Sequence, residues 1–121
     1  MSHILNESKI EAKALPGRNH KMVFGPFEGL LNSEKMCGGL AWFPAESHAP
    51  EHVHENQEEI IYIISGYGAI YFDNQPEEVK AGDFVSIPSK VTHSIRNDAR
   101  EEMELLYVFS PPVVQGSYDK K

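Results

Sequence analysis

Apolar residues in this chain fall in short runs rather than in helical stripes. Residues 40–43 are apolar, 59–64 β-branched and aromatic, and 83–87 and 91–97 alternate. Residues 69–72 follow a Gly-x-Gly turn, 103–109 are again apolar and aromatic, and 21–24 form a shorter mixed segment. Runs of four to eight residues with this content read as strands. Pro16-Gly17, Gly25-Pro26, Gly38-Gly39, Gly66-Tyr67-Gly68, Gln75-Pro76, Gly82-Asp83 and Pro88 punctuate them. Turn signals this frequent leave no room for helices of ordinary length. The pattern predicts an all-β domain.

Period-two parity refines this. Met103, Leu105, Tyr107 and Phe109 share one face of their strand, while Leu106 and Val108 make the other partly apolar. Ile61 and Ile63 likewise oppose Ile60, Tyr62 and Ile64. Strands apolar on both sides are expected to be covered on both, by a closed barrel or sandwich or by a partner subunit. Residues 1–15 read as an N-terminal arm or one short helix, 16–114 as the domain, and 115–121 as a loose polar C-terminal tail.

The length, 121 residues, suits one domain with its own core. Eleven Lys and Arg against eighteen Asp and Glu give a net charge of −7, which disfavours nucleic acid and anionic membranes as partners. The single cysteine, Cys37, rules out an intrachain disulfide and a thiolate cluster; it reads as a buried small hydrophobe. No apolar run is long enough to span a bilayer, and residues 1–13 lack a signal-type apolar stretch. The expectation is a cytoplasmic protein.

Histidine makes the sequence specific. His52-Val53-His54 is followed by Glu59 and, much later, His93. On a strand, residues i and i+2 point the same way about 6–7 Å apart, so two imidazoles so placed can converge on one cation. Imidazole with carboxylate suits a divalent first-row metal: manganese, iron, nickel, cobalt or zinc. Taken singly, the His-x-His pair reads as a solvated edge, Glu58-Glu59 as an exposed acidic pair and His93 as a hydrogen-bonded strand residue. Their combination favours a metal site.

These residues resemble the cupin superfamily, in particular its small single-domain metal-binding members. The first cupin motif runs Gly, five residues, His-x-His, three or four residues, Glu, six residues, Gly. Here His52-x-His54 is followed by four residues, Glu59, six residues and Gly66. The second runs Gly, five residues, Pro-x-Gly, two residues, His, three residues, Asn, matched by Gly82, Pro88, His93 and Asn97. Two glycines are missing: Glu46 stands at the head of the first motif and Lys90 closes Pro-x-Gly. Both positions concern turn shape rather than metal ligation.

The resemblance implies a double-stranded β-helix, the cupin jelly-roll barrel, holding one divalent transition metal per chain (Mn, Fe, Ni, Co or Zn) on His52, His54, Glu59 and His93. Glu58 competes for the ligand role, and the six-residue spacing to Gly66 favours Glu59. Three neutral imidazoles and one carboxylate leave a divalent ion with net positive charge, able to polarise an anionic or enolisable oxygen. The implied function is metal-assisted oxidative cleavage, decarboxylation or isomerisation of a small oxygenated substrate. The alternative is a non-catalytic small-molecule (sugar or organic-acid) binding protein. Candidates for a general acid or base are Glu58, Tyr62, His48 and Tyr107. Trp42, Tyr62 and Tyr107 either line the mouth or fill the core, and parity turns Arg96 away from His93. The apolar face of Ile60, Tyr62 and Ile64 points to a homodimer, as does the resemblance.

Overall fold

The computed structural model describes residues 2–113, so the expected loose tail at 115–121 lies outside the described residues. A 3-10 turn, Glu7–Lys9, precedes eleven strands, and Asn6 caps it by accepting the Ser8 N–H. The strands are β1 Lys13–Leu15, β2 Arg18–Gly25, β3 Leu31–Asn32, β4 Cys37–Phe43, β5 Ser47–His48 and β6 Glu58–Ser65. They continue as β7 Tyr67–Phe72, β8 Gln75–Lys80, β9 Phe84–Ile87, β10 His93–Asn97 and β11 Met103–Ser110. Residues 1–15 thus hold both a short turn and an edge strand.

The strands form two sheets. The larger runs β1-β2-β4-β11-β6-β9, with β3 added parallel to β2; the smaller runs β5-β10-β7-β8. Every other pairing is antiparallel. From β4 onward the chain crosses between sheets at every step except β7 to β8, and the corners are tight. Gly66 alone separates β6 from β7, at φ +83°, where a Cβ would lie 2.6 Å from the Glu102 carbonyl oxygen. No other residue fits that corner without moving β11.

One core joins the sheets. Ile61, Ile63, Leu105, Tyr107 and Phe109 from the larger meet Ile70, Val79 and Ile95 from the smaller. The alternation of β11 is complete: Met103, Leu105, Tyr107 and Phe109 are buried and the residues between them are only partly covered. Cys37 is fully buried among them, and burial pushes its thiol pKa up, as suits a small hydrophobe. Asn97, also fully buried, donates to the carbonyls of Phe43, Pro44 and Glu101 and accepts the Ala99 N–H. It ties the ends of β4 and β10 to the start of β11.

Among the described residues, nothing covers the outer face of β6 and β9. Ile60 and Ile64 stay 41% and 39% exposed and Phe84, beside Tyr62, 75%. The expectation that β6 is covered on both sides therefore fails within one chain, because the smaller sheet lies against its inner face only. Among the described residues, no helix is long and apolar enough to cross a membrane.

Candidate metal centre

His52, His54, Glu59 and His93 come together, each offering one donor atom, and the four atoms lie within 4.8 Å of one another. Glu59 stands on the inner face of β6, between Phe109 of β11 and Ile87 of β9 in register, and is 4% exposed. His93 opens β10 from the other sheet and is fully buried. The His-x-His pair is not on a regular strand, contrary to expectation. His52 makes an isolated antiparallel bridge to His93, and His54 lies in the loop that follows. The same-side spacing survives because that bridge holds His52 extended while the loop folds His54 inward. Ring centroids are 4.2 Å apart for His52–His93, 5.0 Å for His52–His54 and 5.8 Å for His54–His93.

Backbone carbonyls orient two of the rings. His52 Nδ1 lies 3.1 Å from Pro50 O, and His93 Nδ1 lies 2.9 Å from Val91 O. A carbonyl only accepts, so each Nδ1 carries the proton and each Nε2 presents its lone pair. This is the outer support that metal-binding imidazoles ordinarily receive. His93 Nε2 and Glu59 Oε1 face each other at 3.3 Å, yet neither makes a hydrogen bond. Buried polar atoms are normally satisfied, and these two are aimed at the point where the other donors converge. The residues fit a divalent cation.

The electrostatics agree. Burial, helped by the neighbouring His93, lowers the His52 pKa to about 3, so this ring is neutral at ordinary pH. Burial pushes Glu59 up, against the pull of His93 and Arg18. Burial lowers His93 in turn, but the adjacent Glu59 carboxyl outweighs it and the net shift is upward. Both shifts belong to one buried pair, whose opposite charges favour each other while burial disfavours either charge.

The other candidates separate by parity. Glu58 is exposed at the start of β6. Tyr62 packs on Phe84 with ring centroids 4.6 Å apart, on the outer face. Trp42 shares that outer side, with the Lys21 ammonium 5.6 Å from its ring. His48 is exposed and lies 2.7 Å from Asp98. Arg96 points away from His93 and stacks on Tyr71 at 4.0 Å. Tyr107 alone of the acid–base candidates faces the interior, its hydroxyl 3.3 Å from His20 Nδ1.

Two interior residues escape the sequence pattern. Arg18 and His20, 6% and 5% exposed, share the inner face of β2. Arg and His carry no apolar signal, so the pattern starts that strand at 21. The available clue is their i, i+2 spacing just ahead of it.

The missing motif glycines are explained by the backbone. Glu46 and Lys90 both have positive φ, +55° and +69°. They keep the left-handed conformation that glycine usually supplies, with side chains exposed to solvent. The Lys90 turn also holds the site, because its N–H donates to His54 O at 2.7 Å.

Known proteins place this arrangement. Over 69 residues the chain is 39% identical to an uncharacterized protein of Methanocaldococcus jannaschii, a match spanning 57% of this chain and 55% of that protein. It is 35% identical over 84 residues to the oxalate-binding protein of Thermotoga maritima, 65% of this chain and 69% of the relative. The crystal structure of a predicted oxalate decarboxylase from Thermotoga maritima superposes with a TM-score of 0.74 at 24% identity, over 89% of this chain and 98% of that one. The family model for the cupin domain matches residues 41–109, the stretch that carries all four converging donors. With two sheets of the cupin arrangement, a clustered His/Glu site and that match, the chain is a small member of the cupin family.

Proposed function

We propose that this protein is a metal-dependent cupin whose single divalent transition metal is held by His52, His54, Glu59 and His93. The two sheets then form the walls of a double-stranded β-helix, one domain with residues 1–15 as an arm along its edge. The observation that carries the reading is the convergence of four donor atoms, two of them buried without hydrogen bonds. A bound divalent ion would polarise a substrate oxygen and leave coordination positions open to a small chelating ligand.

The ligand is a small oxygenated molecule, most simply an organic acid, a choice supported by the similarity to an oxalate-binding protein. The reaction is oxidative cleavage, decarboxylation or isomerisation. For any step that moves a proton, the chain's own interior pair is Tyr107 and His20, since Glu58, Tyr62 and His48 lie on the outside. A binding protein without turnover is the second reading, and the same similarity favours it.

The deciding experiment is elemental analysis of untagged protein, followed by a panel of organic acids, sugars and enolisable compounds with and without oxygen. Stoichiometric metal with product formation supports the enzyme. Metal with saturable binding and no product supports the binding protein, and absence of metal affinity overturns both.

A homodimer completes the proposal. Ile60, Tyr62, Ile64 and Phe84 make an uncharged apolar face on a chain of net charge −7. Such a face offers nothing to a charged partner, and a second copy covers it by pairing the same patch about a two-fold axis.

A further inference from the structure

The smaller sheet carries His93 on its inner face and a separate cleft on its outer face, so the sheet itself stands between that cleft and the four donors. The cleft encloses about 1000 Å³, the size of a site for a small organic molecule. Its base comes from β7 and β8, paired as Tyr67–Lys80, Ala69–Glu78 and Tyr71–Pro76. These side chains share one face, because Ile70 and Val79 of the same two strands enter the core from the other. Ala69 is the small member among them. The two tyrosines therefore flank a gap, with Glu78 across it.

The charges around this gap are matched with one exception. Asp98 lies 2.7 Å from His48. Asp83 accepts the Lys80 N–H at 2.9 Å and has the Lys80 ammonium 4.0 Å away. The Arg96 guanidinium lies over Tyr71, 4.0 Å from the ring. Among the described residues Glu78 makes no ion pair, and nothing stacks on Tyr67, which is 56% exposed. One open carboxylate and one open ring thus remain diagonal to each other across β7 and β8, roughly 7–8 Å apart by strand geometry.

We propose that this cleft binds a small organic cation, an ammonium group on an apolar body, between the Tyr67 ring and the Glu78 carboxylate. A cation is attracted to the face of an aromatic ring, and Arg96 on Tyr71 makes that arrangement two rows away in the same cleft wall. Glu78 supplies the counter-charge, and a net charge of −7 adds a field of the same sign. Ala69, Val79 and Ala99 offer the apolar body its surface. An anion would meet Glu78, Asp83 and Asp98 together, and a neutral ligand would leave Glu78 unmatched. The inference stands apart from the metal reading, since none of the four donors lines the cleft.

Chloride salts of choline, with dimethylbutanol as its uncharged carbon isostere, test this by titration of the full chain, followed through backbone amide resonances. Choline should shift the amides of Tyr67, Ala69 and Glu78 saturably, equally with and without divalent metal, and bind roughly 3- to 30-fold more tightly than the alcohol. Glu78→Gln should weaken choline roughly 2- to 5-fold and leave the alcohol within about twofold. Tyr67→Leu should cost choline roughly 2- to 5-fold, and Tyr67→Phe, which keeps the ring, less than about twofold. Both side chains are exposed, so these variants keep the fold. Equal affinity for the two probes overturns the inference, as does choline affinity untouched by Glu78→Gln and Tyr67→Leu. Shifts confined to other strands overturn it as well. A trilysine peptide that binds where choline does not would make the cleft a peptide site instead. Movement of the same amides with protein concentration alone would make its occupant a second copy, and either result overturns the proposal.

Discussion

His52 and His93 are bound to each other through their backbones: each N–H donates to the other's carbonyl, both at 2.9 Å. The bridge is made by main-chain atoms, so the two imidazoles keep their spacing whatever fills the space between them. Removing either side chain should leave the bridge and the fold intact while emptying one corner of the site. His52→Ala and His93→Ala are expected to lower metal affinity by more than the ~10–100-fold typical of outer-sphere changes, with unaltered circular dichroism. Elemental analysis after dialysis checks this. Near-stoichiometric metal in the double variant would refute the ligand assignment.

The two adjacent carboxylates give a sharper comparison. Glu59 is buried on the inner face of β6, and Glu58 is exposed beside it. Glu59→Gln should cost most of the metal affinity, and Glu58→Gln should change it less than about twofold, since a solvated charge at this remove is heavily screened. Competition with a chromophoric chelator measures both. Equal losses would show that the register of β6 is misassigned.

Lys90 holds φ +69° without being glycine. A side chain in that conformation costs about 1–3 kcal/mol, and glycine gives back roughly 0.5–1 kcal/mol through the freedom of its unfolded chain. Lys90→Gly should therefore raise stability by about 0.5–2 kcal/mol, a shift of several degrees in Tm, while metal affinity stays unchanged because the N–H to His54 is retained. Lys90→Pro removes that donor and cannot adopt the angle, so it should lower both. Thermal unfolding of the two variants, with and without metal, reads the contrast.

Phe84 is the most exposed member of the outer apolar face. Light scattering of the wild type at micromolar concentration is expected to give twice the 13.6 kDa chain mass. Phe84→Asp should return it to the monomer, since a carboxylate buried against its own symmetry mate has no partner there. A wild-type mass near that of one chain across the whole concentration range would rule the dimer out.

The site was more legible than the fold around it. His52, His54, Glu59 and His93 stand at motif spacings that survive any local error in strand limits, so their convergence was predictable although His54 lies in a loop. The strand β8 was not readable, because Gln75, Pro76, Glu77, Glu78 and Lys80 surround a single buried residue, Val79. An edge strand with one anchoring residue has almost no periodicity. The start of β2 was lost for a different reason: Arg18 and His20 face inward for their polar groups, and a hydrophobic pattern treats such residues as surface. Glu46 and Lys90 are the converse case, where letters departed from the motif and backbone conformation did not.

The four donors are divided between the sheets, Glu59 on the larger and His93, with its bridged partner His52, on the smaller. An ion among them is enclosed by groups that cannot all withdraw by rotating side chains, since Glu59 and His93 are buried on opposing walls. His52 and His54 are only half-buried, so they mark the side from which such an ion exchanges. A small chelator that enters there should speed its release without any opening of β6 or β10.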